Sequence, residues 1–361
     1  MAHIEGNCDE RFGAVREALA ESLDKKDVGA SVAIFVDGEP VVDIWGGYAD
    51  EARTRPWERD TITNVWSTTK TMTALCALIL ADRGEIDLDA PVAKYWPEFA
   101  AAGKEKVLLR HVLGHTAGLP VWEKPLTVEQ LYDWPTMTAL LAEQAPSSEP
   151  GTEGAYHAAT QGYLIGEVIR RVTGRGVGRF FAEEVAGPLG ADFHIGLAAA
   201  HDHRIAPIIP AKTRAPEFES RGPGNPPLPA EVANTEAWRR ADIPSANGFG
   251  NARSAALVQS VLASGGEVNG VRLLSAAGCE RALEEQFHGE DRILGAKIRY
   301  GMGYALRGRV CSWGGWGGSL VLVDFDQHMT VSYVMNQMLE ESPLGDDRGL
   351  SIAVAAYSGF S

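Results

Sequence analysis

The sequence predicts an α+β protein in which an antiparallel sheet, flanked by helices, is built from both ends of the chain. Runs of alternating apolar residues, typical of strands, occur near residues 30–47 and again near 298–335. Between them the apolar residues recur at helical spacing. The 361 residues are 45% hydrophobic, which is ample for a large core. We therefore assign residues 1–80 and 245–361 to a sheet domain, and residues 81–244 to an inserted, mainly helical domain.

The first elements are a helix and a hairpin. The segment FGAVREALAESLDKKD has apolar residues at helical spacing and predicts an amphipathic surface helix. ASVAIFVDGEPVVDIWGGYAD consists of two β-rich runs around an Asp-Gly pair, which is a strong hairpin signal. The long apolar run after NVWSTTK predicts a helix to about Asp82, capped by Asn64, Ser67 or Thr68.

The middle of the chain predicts further helices and then an irregular stretch. LLRHVLGHTAGLP predicts a helix ending near Gly118. TVEQLYDWPTMTALLAEQ, ATQGYLIGEVIRRVTG and GVGRFFAEEVAGPLG supply the others. Residues 200–244 are crowded with Pro and Gly, which favours irregular chain. We consider two interpretations of this insertion, a mobile surface loop and a wall or lid over a pocket.

The last third of the chain predicts the remaining sheet. SAALVQSVLASGG is helical, and EVNGVRLL contains a tight turn. RYGMGYALRG, RVCSW, SLVLVDF and MTVSYVMNQ alternate as strands do. GLSIAVAAYSGF closes the pattern as an apolar helix. Strands at both ends and helices between them lead to the fold class stated above.

Composition argues against several classes of partner. The net charge of -15 repels phosphate backbones, so we expect no nucleic-acid binding. We find no secretory signal and no apolar run long enough for a membrane span, and the four cysteines form no C-x-x-C. We expect a cytoplasmic protein with free thiols. His111 with His115, and His201 with His203, superficially suggest metal sites, but no matching carboxylate or cysteine cluster accompanies them. We expect neither metal nor cofactor; the oligomeric state is left open.

The pair Ser67 and Lys70 is the strongest chemical signal. Residues three apart on a helix share a face, so Ser-x-x-Lys places an amine beside a hydroxyl. Burial disfavours the ammonium form, and the amine then accepts a proton near neutrality. A helix cap followed by an exposed lysine is the structural alternative. Ser22 and Lys25 form a second copy, but they lie in the charged segment ESLDKKD, where a solvated lysine stays protonated.

Five segments in order resemble one superfamily. STTK with its apolar helix resembles the active-site helix of serine β-lactamases and penicillin-binding proteins, and the match is nearest to family VIII carboxylesterases. LLRHVLGHTAGLP resembles the family's His-Thr-Ser-Gly-Leu-Pro segment, and GAYHAATQGYLIGEVIRRVTG its Tyr-x-Asn block. SANGFGNARSAALVQSVLASGGEVNGVRLLS, and YGMGYALRG followed by SWGGWGGSLVLVDFD, resemble its second half. The resemblance covers about residues 30–340 and implies the β-lactamase/transpeptidase-like fold.

The resemblance also implies roles for individual residues. Ser67 would be the acylated nucleophile, and Lys70 and Tyr156 would share the proton transfers in an order that sequence leaves open. Tyr163 is a rival tyrosine that we interpret as packing. The backbone amides of Ser67 and Trp316 would form the oxyanion hole. The expected pocket residues are Trp313, Gly314, Gly315 and His157.

Two departures from the family pattern point to the substrate. Ala158 stands where the Tyr-x-Asn block has its asparagine, and Trp313 stands where relatives carry lysine or histidine. Both changes make the pocket less polar. The first removes a side-chain amide that would hold a lactam substituent, and the second removes a cation that would hold a substrate carboxylate. We therefore expect a serine hydrolase that cleaves small neutral carboxylic esters through an acyl-enzyme. The alternatives are a β-lactamase, D-aminopeptidase or amidase of the same fold, and a non-catalytic binding or assembly homologue.

Overall fold

The helices lie mainly in the middle of the chain. The computed structural model describes residues 2–214, 224–341 and 346–360. The helices are α1 (Gly13–Lys25), α2 (Thr69–Asp82), α3 (Leu109–Leu113), α4 (Trp134–Glu143), α5 (Thr160–Thr173), α6 (Val177–Phe181, continued by a π-helical segment Ala182–Ala186), α7 (Gly187–Leu189), α8 (Glu236–Arg240), α9 (Ala252–Ala263), α10 (Ala276–Glu280) and α11 (Asp347–Tyr357).

The strands lie mainly towards the two ends of the chain. They are β1 (Ile4–Cys8), β2 (Gly29–Val36), β3 (Glu39–Gly47), β4 (Thr63–Asn64), β5 (His194–Ile195), β6 (Thr213–Arg214), β7 (Gly248–Gly250), β8 (Glu267–Val268), β9 (Val271–Arg272), β10 (Phe287–Asp291), β11 (Ala296–Tyr300), β12 (Ala305–Arg307), β13 (Val310–Gly314), β14 (Leu320–Asp324), β15 (Met329–Met335) and β16 (Glu340–Glu341).

One large antiparallel sheet organises the fold. Within the described residues it has nine strands in the order β1-β3-β2-β15-β14-β13-β12-β11-β10. The two ends of the chain meet where β2 pairs with β15, with Val32 opposite Tyr333 and Ala30 opposite Met335. A smaller sheet, β4-β7-β5, joins the nucleophile region to the middle of the chain. This mixture of helices and a large antiparallel sheet confirms the predicted α+β class.

Helices cover both faces of the large sheet because its central strands alternate apolar residues between two cores. Val32 and Ile34 of β2 belong to the core formed with α1 and α11. Ala33 and Phe35, their neighbours in sequence, face the other core, which includes α9 and α2. Successive side chains of a strand point to opposite faces, so β2 is buried throughout its length except at Val36.

The bounds of helix α2 agree with the prediction, whereas one other predicted helix boundary was wrong for a backbone reason. Helix α2 runs Thr69–Asp82 with Thr68 as its N-cap, one of the three expected caps, although Thr68 makes no side-chain cap bond; Trp66, two residues before the cap, holds a left-handed φ of 48°. The helix predicted to end near Gly118 ends at Leu113. His115 there has a φ of 56°, which a helix does not allow.

Other elements agree with the sequence, and some were missed. The first helix, the Asp37-Gly38 hairpin, the late strands and the closing helix are confirmed. The edge strands β1 and β10 were not predicted. The domain division at residues 80 and 245 stays a prediction. Part of the Pro-rich insertion, residues 215–223, lies outside the described residues, so its role as a loop or lid stays open.

Candidate active site

Ser67 lies in a tight turn immediately before α2. Trp66 adopts a left-handed conformation that bulky residues rarely adopt, and such strain is common at functional sites. Thr68 N–H donates to the Val65 carbonyl at 3.2 Å, and the Thr69 hydroxyl donates to the Trp66 carbonyl at 2.5 Å. The same hydroxyl accepts from Gly248 N–H of β7 at 2.8 Å. These bonds hold the strained turn and present the Ser67 side chain at a partly exposed position.

Lys70 is buried one turn further on and contacts Ser67 directly. Its Nζ lies 3.1 Å from Ser67 Oγ and donates to the carbonyls of Ala158 at 2.6 Å and Ser245 at 3.0 Å. No carboxylate pairs with this amine within the described residues. Burial therefore lowers the pKa of Lys70 well below its ordinary value, because the charged ammonium is desolvated.

Tyr156 completes a three-residue cluster around the serine oxygen. Its hydroxyl donates to Ser67 Oγ at 2.7 Å, and the Lys70 amine lies 5.0 Å from the centre of its ring. Burial raises the pKa of Tyr156 to about 12 and outweighs the hydrogen bond to Ser67, which acts in the opposite direction. The phenol is consequently protonated near neutral pH. The three side chains that the sequence singled out are brought together.

Two buried histidines fix the backbone on either side of Tyr156. His115 accepts a hydrogen bond from His157 N–H at Nδ1, 3.1 Å away, and its carbonyl accepts from Ala155 N–H at 2.9 Å. Its ring stands edge-on to the Tyr156 ring with centroids 5.0 Å apart. Burial lowers the pKa of both histidines, that of His157 to about 4, so both are neutral. In these contacts His115 acts as a structural hydrogen-bonder.

His157 lies beneath the site. Its Nε2 accepts from Leu119 N–H at 3.2 Å, so Nδ1 carries the proton and donates to the Ala155 carbonyl at 2.5 Å. The side chain has no exposed surface. Its expected role as a pocket residue does not fit this burial, because every polar atom of the ring faces protein. We assign it instead to holding the Tyr156 segment.

The glycine-rich segment after β13 forms a tight turn opposite Ser67. Gly318 N–H donates to the Gly315 carbonyl at 3.0 Å, which makes Trp316 the first central residue of a β-turn. Gly317, the second central residue, has a φ of 98° that favours glycine. The amide of Ser67 donates to no acceptor within the described residues. The Ser67 amide and the amide of Trp316, the first central residue of the turn, are the expected oxyanion donors.

Ser319 connects this turn to the nucleophile. Its hydroxyl donates to the Val65 carbonyl at 2.9 Å and lies 2.9 Å from the Thr68 hydroxyl. A side chain at Gly315 would meet the same Val65 carbonyl at 2.2 Å, so only glycine permits this approach. The rings of Trp66 and Trp316 also pack with centroids 4.9 Å apart. Ser319 was not predicted from the sequence, although it lies only four residues after Gly315, which was.

Trp313 faces the phenol. Its ring centroid lies 5.2 Å from that of Tyr156, and its buried indole N–H has no hydrogen-bond partner within the described residues. The indole N–H is near enough to lower the pKa of Tyr156, although it falls short of hydrogen-bond geometry. Gly314 is exposed, and Gly315 is buried against Val65.

The rival candidates lie elsewhere. Ser22 donates to Asp27 at 2.6 Å, and the exposed Lys25 pairs with Glu21 at 2.6 Å. Tyr163 donates to the Leu131 carbonyl at 2.5 Å and is packing, as predicted. Among the described residues no group of three or more His, Cys, Asp or Glu is arranged to hold a metal ion. None of the helices described is both long and apolar enough to cross a bilayer.

A strained serine turn, a buried amine and a phenol on this fold define a serine hydrolase. Comparison with known proteins identifies the family. The family model described as Beta-lactamase matches residues 15–356, and the chain belongs to that family. An esterase/beta-lactamase, LipL of Mycobacterium tuberculosis (strain ATCC 25618 / H37Rv), is 35% identical over 95% of this chain and 85% of its own.

Two solved structures are similar over nearly the whole chain. A family VIII carboxylesterase is 42% identical with a TM-score of 0.93, covering 99% of this chain and 100% of the other. A penicillin-binding protein homologue from Caulobacter crescentus is 35% identical, also with a TM-score of 0.93 and the same coverage. The predicted family resemblance is confirmed.

Proposed function

We propose that this serine hydrolase, of the carboxylesterase type, cleaves small neutral carboxylic esters through an acyl-enzyme formed on Ser67. The observation that carries the proposal is the convergence of the Lys70 amine and the Tyr156 phenol on Ser67 Oγ, at 3.1 and 2.7 Å. An unassisted serine hydroxyl is a poor nucleophile and needs a base within hydrogen-bond reach. The cluster supplies both a base and an acid at that distance.

We assign Lys70 as the base that activates Ser67. Its lowered pKa favours the neutral amine, which has two N–H groups and one lone pair. The carbonyls of Ala158 and Ser245 accept the two N–H groups. The lone pair then faces Ser67 Oγ and accepts its proton as the hydroxyl attacks the ester carbonyl. The amides of Ser67 and Trp316 stabilise the resulting oxyanion.

We assign Tyr156 as the acid that protonates the leaving group. With a pKa raised to about 12, the phenol holds its proton until an alkoxide departs. Its proton passes to that alkoxide and the alcohol leaves. The acyl-enzyme then contains a Lys70 ammonium beside a Tyr156 phenolate. The phenolate takes a proton from water, the hydroxide attacks the acyl group, and Lys70 returns the first proton to Ser67.

The substrate class follows from the charge of the site. Trp313 offers no cation to a substrate carboxylate. Arg348, a buried cation behind the oxyanion turn, is paired with Asp27 and Asp346. Ala158 offers no side-chain amide and holds Lys70 through its carbonyl. A neutral ester with a small acyl group fits this site better than an anionic lactam or peptide. The relatives named an esterase/beta-lactamase and a carboxylesterase support an ester substrate.

The alternatives are of two kinds. A β-lactamase of the same fold is favoured by one observation, the name of the Mycobacterium tuberculosis relative, which includes that activity. A D-aminopeptidase or amidase would use the same cluster. A non-catalytic binding homologue has no need for an amine and a phenol that both contact one serine oxygen, which makes this alternative the weaker one.

Turnover of p-nitrophenyl acetate by the wild type and by Ser67→Ala tests the proposal. We expect hydrolysis by the wild type and its loss in Ser67→Ala. Lys25→Met is the matched control, because it alters the lysine of the second Ser-x-x-Lys copy, and we expect it to keep full activity. Equal rates in wild type and Ser67→Ala would contradict the acyl-enzyme. Faster turnover of the lactam nitrocefin than of aryl acetates would contradict the ester assignment.

A further inference from the structure

A buried arginine lies behind the turn that carries Trp316. Only 1% of the Arg348 side chain is exposed. Its Nη2 donates to the Gly317 carbonyl at 2.7 Å, and its Nη1 donates to the Gln337 carbonyl at 2.9 Å. Gly317 is the second central residue of the oxyanion turn. The guanidinium therefore holds the Gly317–Gly318 peptide, two peptide units after the one that carries the expected oxyanion donor.

Two carboxylates compensate the charge of Arg348 and fix its position. Asp27 accepts from Nη1, and Asp346 accepts from Nε at 2.9 Å and from Nη2 at 2.6 Å. Asp27 is fully buried and also accepts from the hydroxyls of Ser22 at 2.6 Å and Tyr333 at 2.7 Å. Because Tyr333 belongs to β15, the arginine is anchored to the centre of the large sheet.

Three of the four residues of the turn are glycines, so the turn has little stiffness of its own. Gly317 and Gly318 have φ values of 98° and 124°, conformations that glycine adopts readily but that also leave the chain free to move. A side chain at Gly318 would meet Arg348 Nη2 at 2.8 Å and Asp346 Oδ2 at 3.0 Å. The planar fork of an arginine fixes the turn in a way that a lysine ammonium does not.

We propose that Arg348 is a positioning residue for the oxyanion hole, which holds the Trp316 amide in place through the Gly317 carbonyl. It touches neither the substrate nor Ser67. Its effect on the reaction passes through the turn, so its loss acts on the oxyanion in the transition state and leaves the Lys70 and Tyr156 proton transfers intact. This inference rests on the proposed esterase function.

An aryl ester and its matching thionoester, which differ only in a carbonyl oxygen or sulfur, distinguish this positioning role from a general loss of stability. A thiocarbonyl sulfur accepts hydrogen bonds weakly, so a thionoester gains little from the oxyanion hole. For Arg348→Lys we expect kcat for an aryl ester to fall about 10- to 100-fold at nearly unchanged KM, below the roughly 10²–10³ of a lost oxyanion donor. The rate on the matching thionoester falls far less, so the ester-to-thionoester ratio drops about tenfold or more.

Two further variants complete the test. Arg309→Gln is the control, since Arg309 pairs with Glu280 and Asp326 on the surface, and we expect its ratio to equal that of the wild type. Asp346→Asn keeps a side chain able to cap α11 and removes one charged partner of Arg348. If Arg348→Lys does not fold, the ester-to-thionoester ratio of Asp346→Asn tests the positioning role instead. We expect this ratio to fall about two- to fivefold.

The outcomes distinguish the inference from the function on which it rests. Equal losses on ester and thionoester, following the loss of folded protein measured by melting, would overturn the positioning role. An unchanged ratio in Asp346→Asn, when Arg348→Lys does not fold, would overturn it also. If Ser67→Ala hydrolyses the aryl ester at the wild-type rate, it is the proposed function that fails, whatever the ratio in the arginine variants.

Discussion

The variant Tyr156→Phe removes one oxygen atom and tests the assignment of Lys70 as base separately from that of Tyr156 as acid. The ring remains packed against His115 and Trp313, and Lys70 keeps both of its carbonyl partners. The change deletes only the hydrogen bond to Ser67 Oγ. We expect it to cost about 0.5–1.5 kcal/mol of stability, as the loss of one hydrogen bond usually does.

The catalytic effect is expected to be much larger than the effect on stability. A positioned acid or base contributes about 10²–10⁴-fold, or about 3–5 kcal/mol of the barrier. In our assignment Lys70 still activates Ser67, and p-nitrophenolate leaves without an acid. Acylation by p-nitrophenyl acetate therefore survives, whereas attack of water on the acyl-enzyme loses its base.

The assay is rapid-mixing measurement of p-nitrophenol release with Tyr156→Phe. We expect a burst of about one product per active site, then steady turnover reduced about 10²–10⁴-fold, with acetylated protein visible by mass spectrometry. Tyr163→Phe is the control, because it makes the same change at a buried phenol that donates to a backbone carbonyl. With an alkyl ester, whose leaving group needs a proton, quenched-flow measurement of the released alcohol should show no burst. Absence of the burst with the nitrophenyl ester would refute Lys70 as the base for Ser67.

Three further predictions concern pH and the site's supports. In a pH profile, we expect kcat/KM to be lost as pH falls through the depressed pKa of Lys70, because the protonated amine no longer accepts the Ser67 proton. If kcat/KM instead keeps rising towards pH 12, the Tyr156 phenolate is the base. Trp313→Phe keeps an aromatic ring at this position but removes the indole N–H near the Tyr156 phenolate, so deacylation measured by single turnover should slow about 10-fold. An unchanged rate would contradict the contact between the indole N–H and the phenolate. Ser319→Ala leaves the Thr68 hydroxyl unpaired and removes one of the two hydrogen bonds to the Val65 carbonyl, so urea unfolding should show a loss of about 1–3 kcal/mol, whereas an exposed serine changed likewise should show little.

The sequence predicted the parts of the fold that depend on periodicity. Alternation revealed the strands of the large sheet, except at its two edges. The edge strand β1, IEGNC, is mostly exposed and carries little apolar alternation, so its pairing with β3 had no signal in its own residues. The helix predicted to end near Gly118 was made too long because the left-handed His115 does not allow it to continue, and helical periodicity does not report such a residue.

The candidate site was predictable where residue type carries the chemistry. Ser67, Lys70 and Tyr156 were each identified, and the structure brings their polar atoms together. The carbonyls that orient Lys70 were not predictable, since every residue has one. Arg348 was equally hidden, because its partners lie far away in sequence and its meaning depends on a contact with one glycine carbonyl.

The bond from Ser319 to Val65 joins segments that are 254 positions apart in the chain. The serine turn is synthesised early, but its oxyanion partner belongs to the segment between β13 and β14, which is joined to the N-terminal strands through the pairing of β15 with β2. A nascent or partly refolded chain therefore carries the nucleophile without the means to use it. Covalent capture of a fluorophosphonate probe during refolding would consequently report when the two ends of the chain come together to form the site.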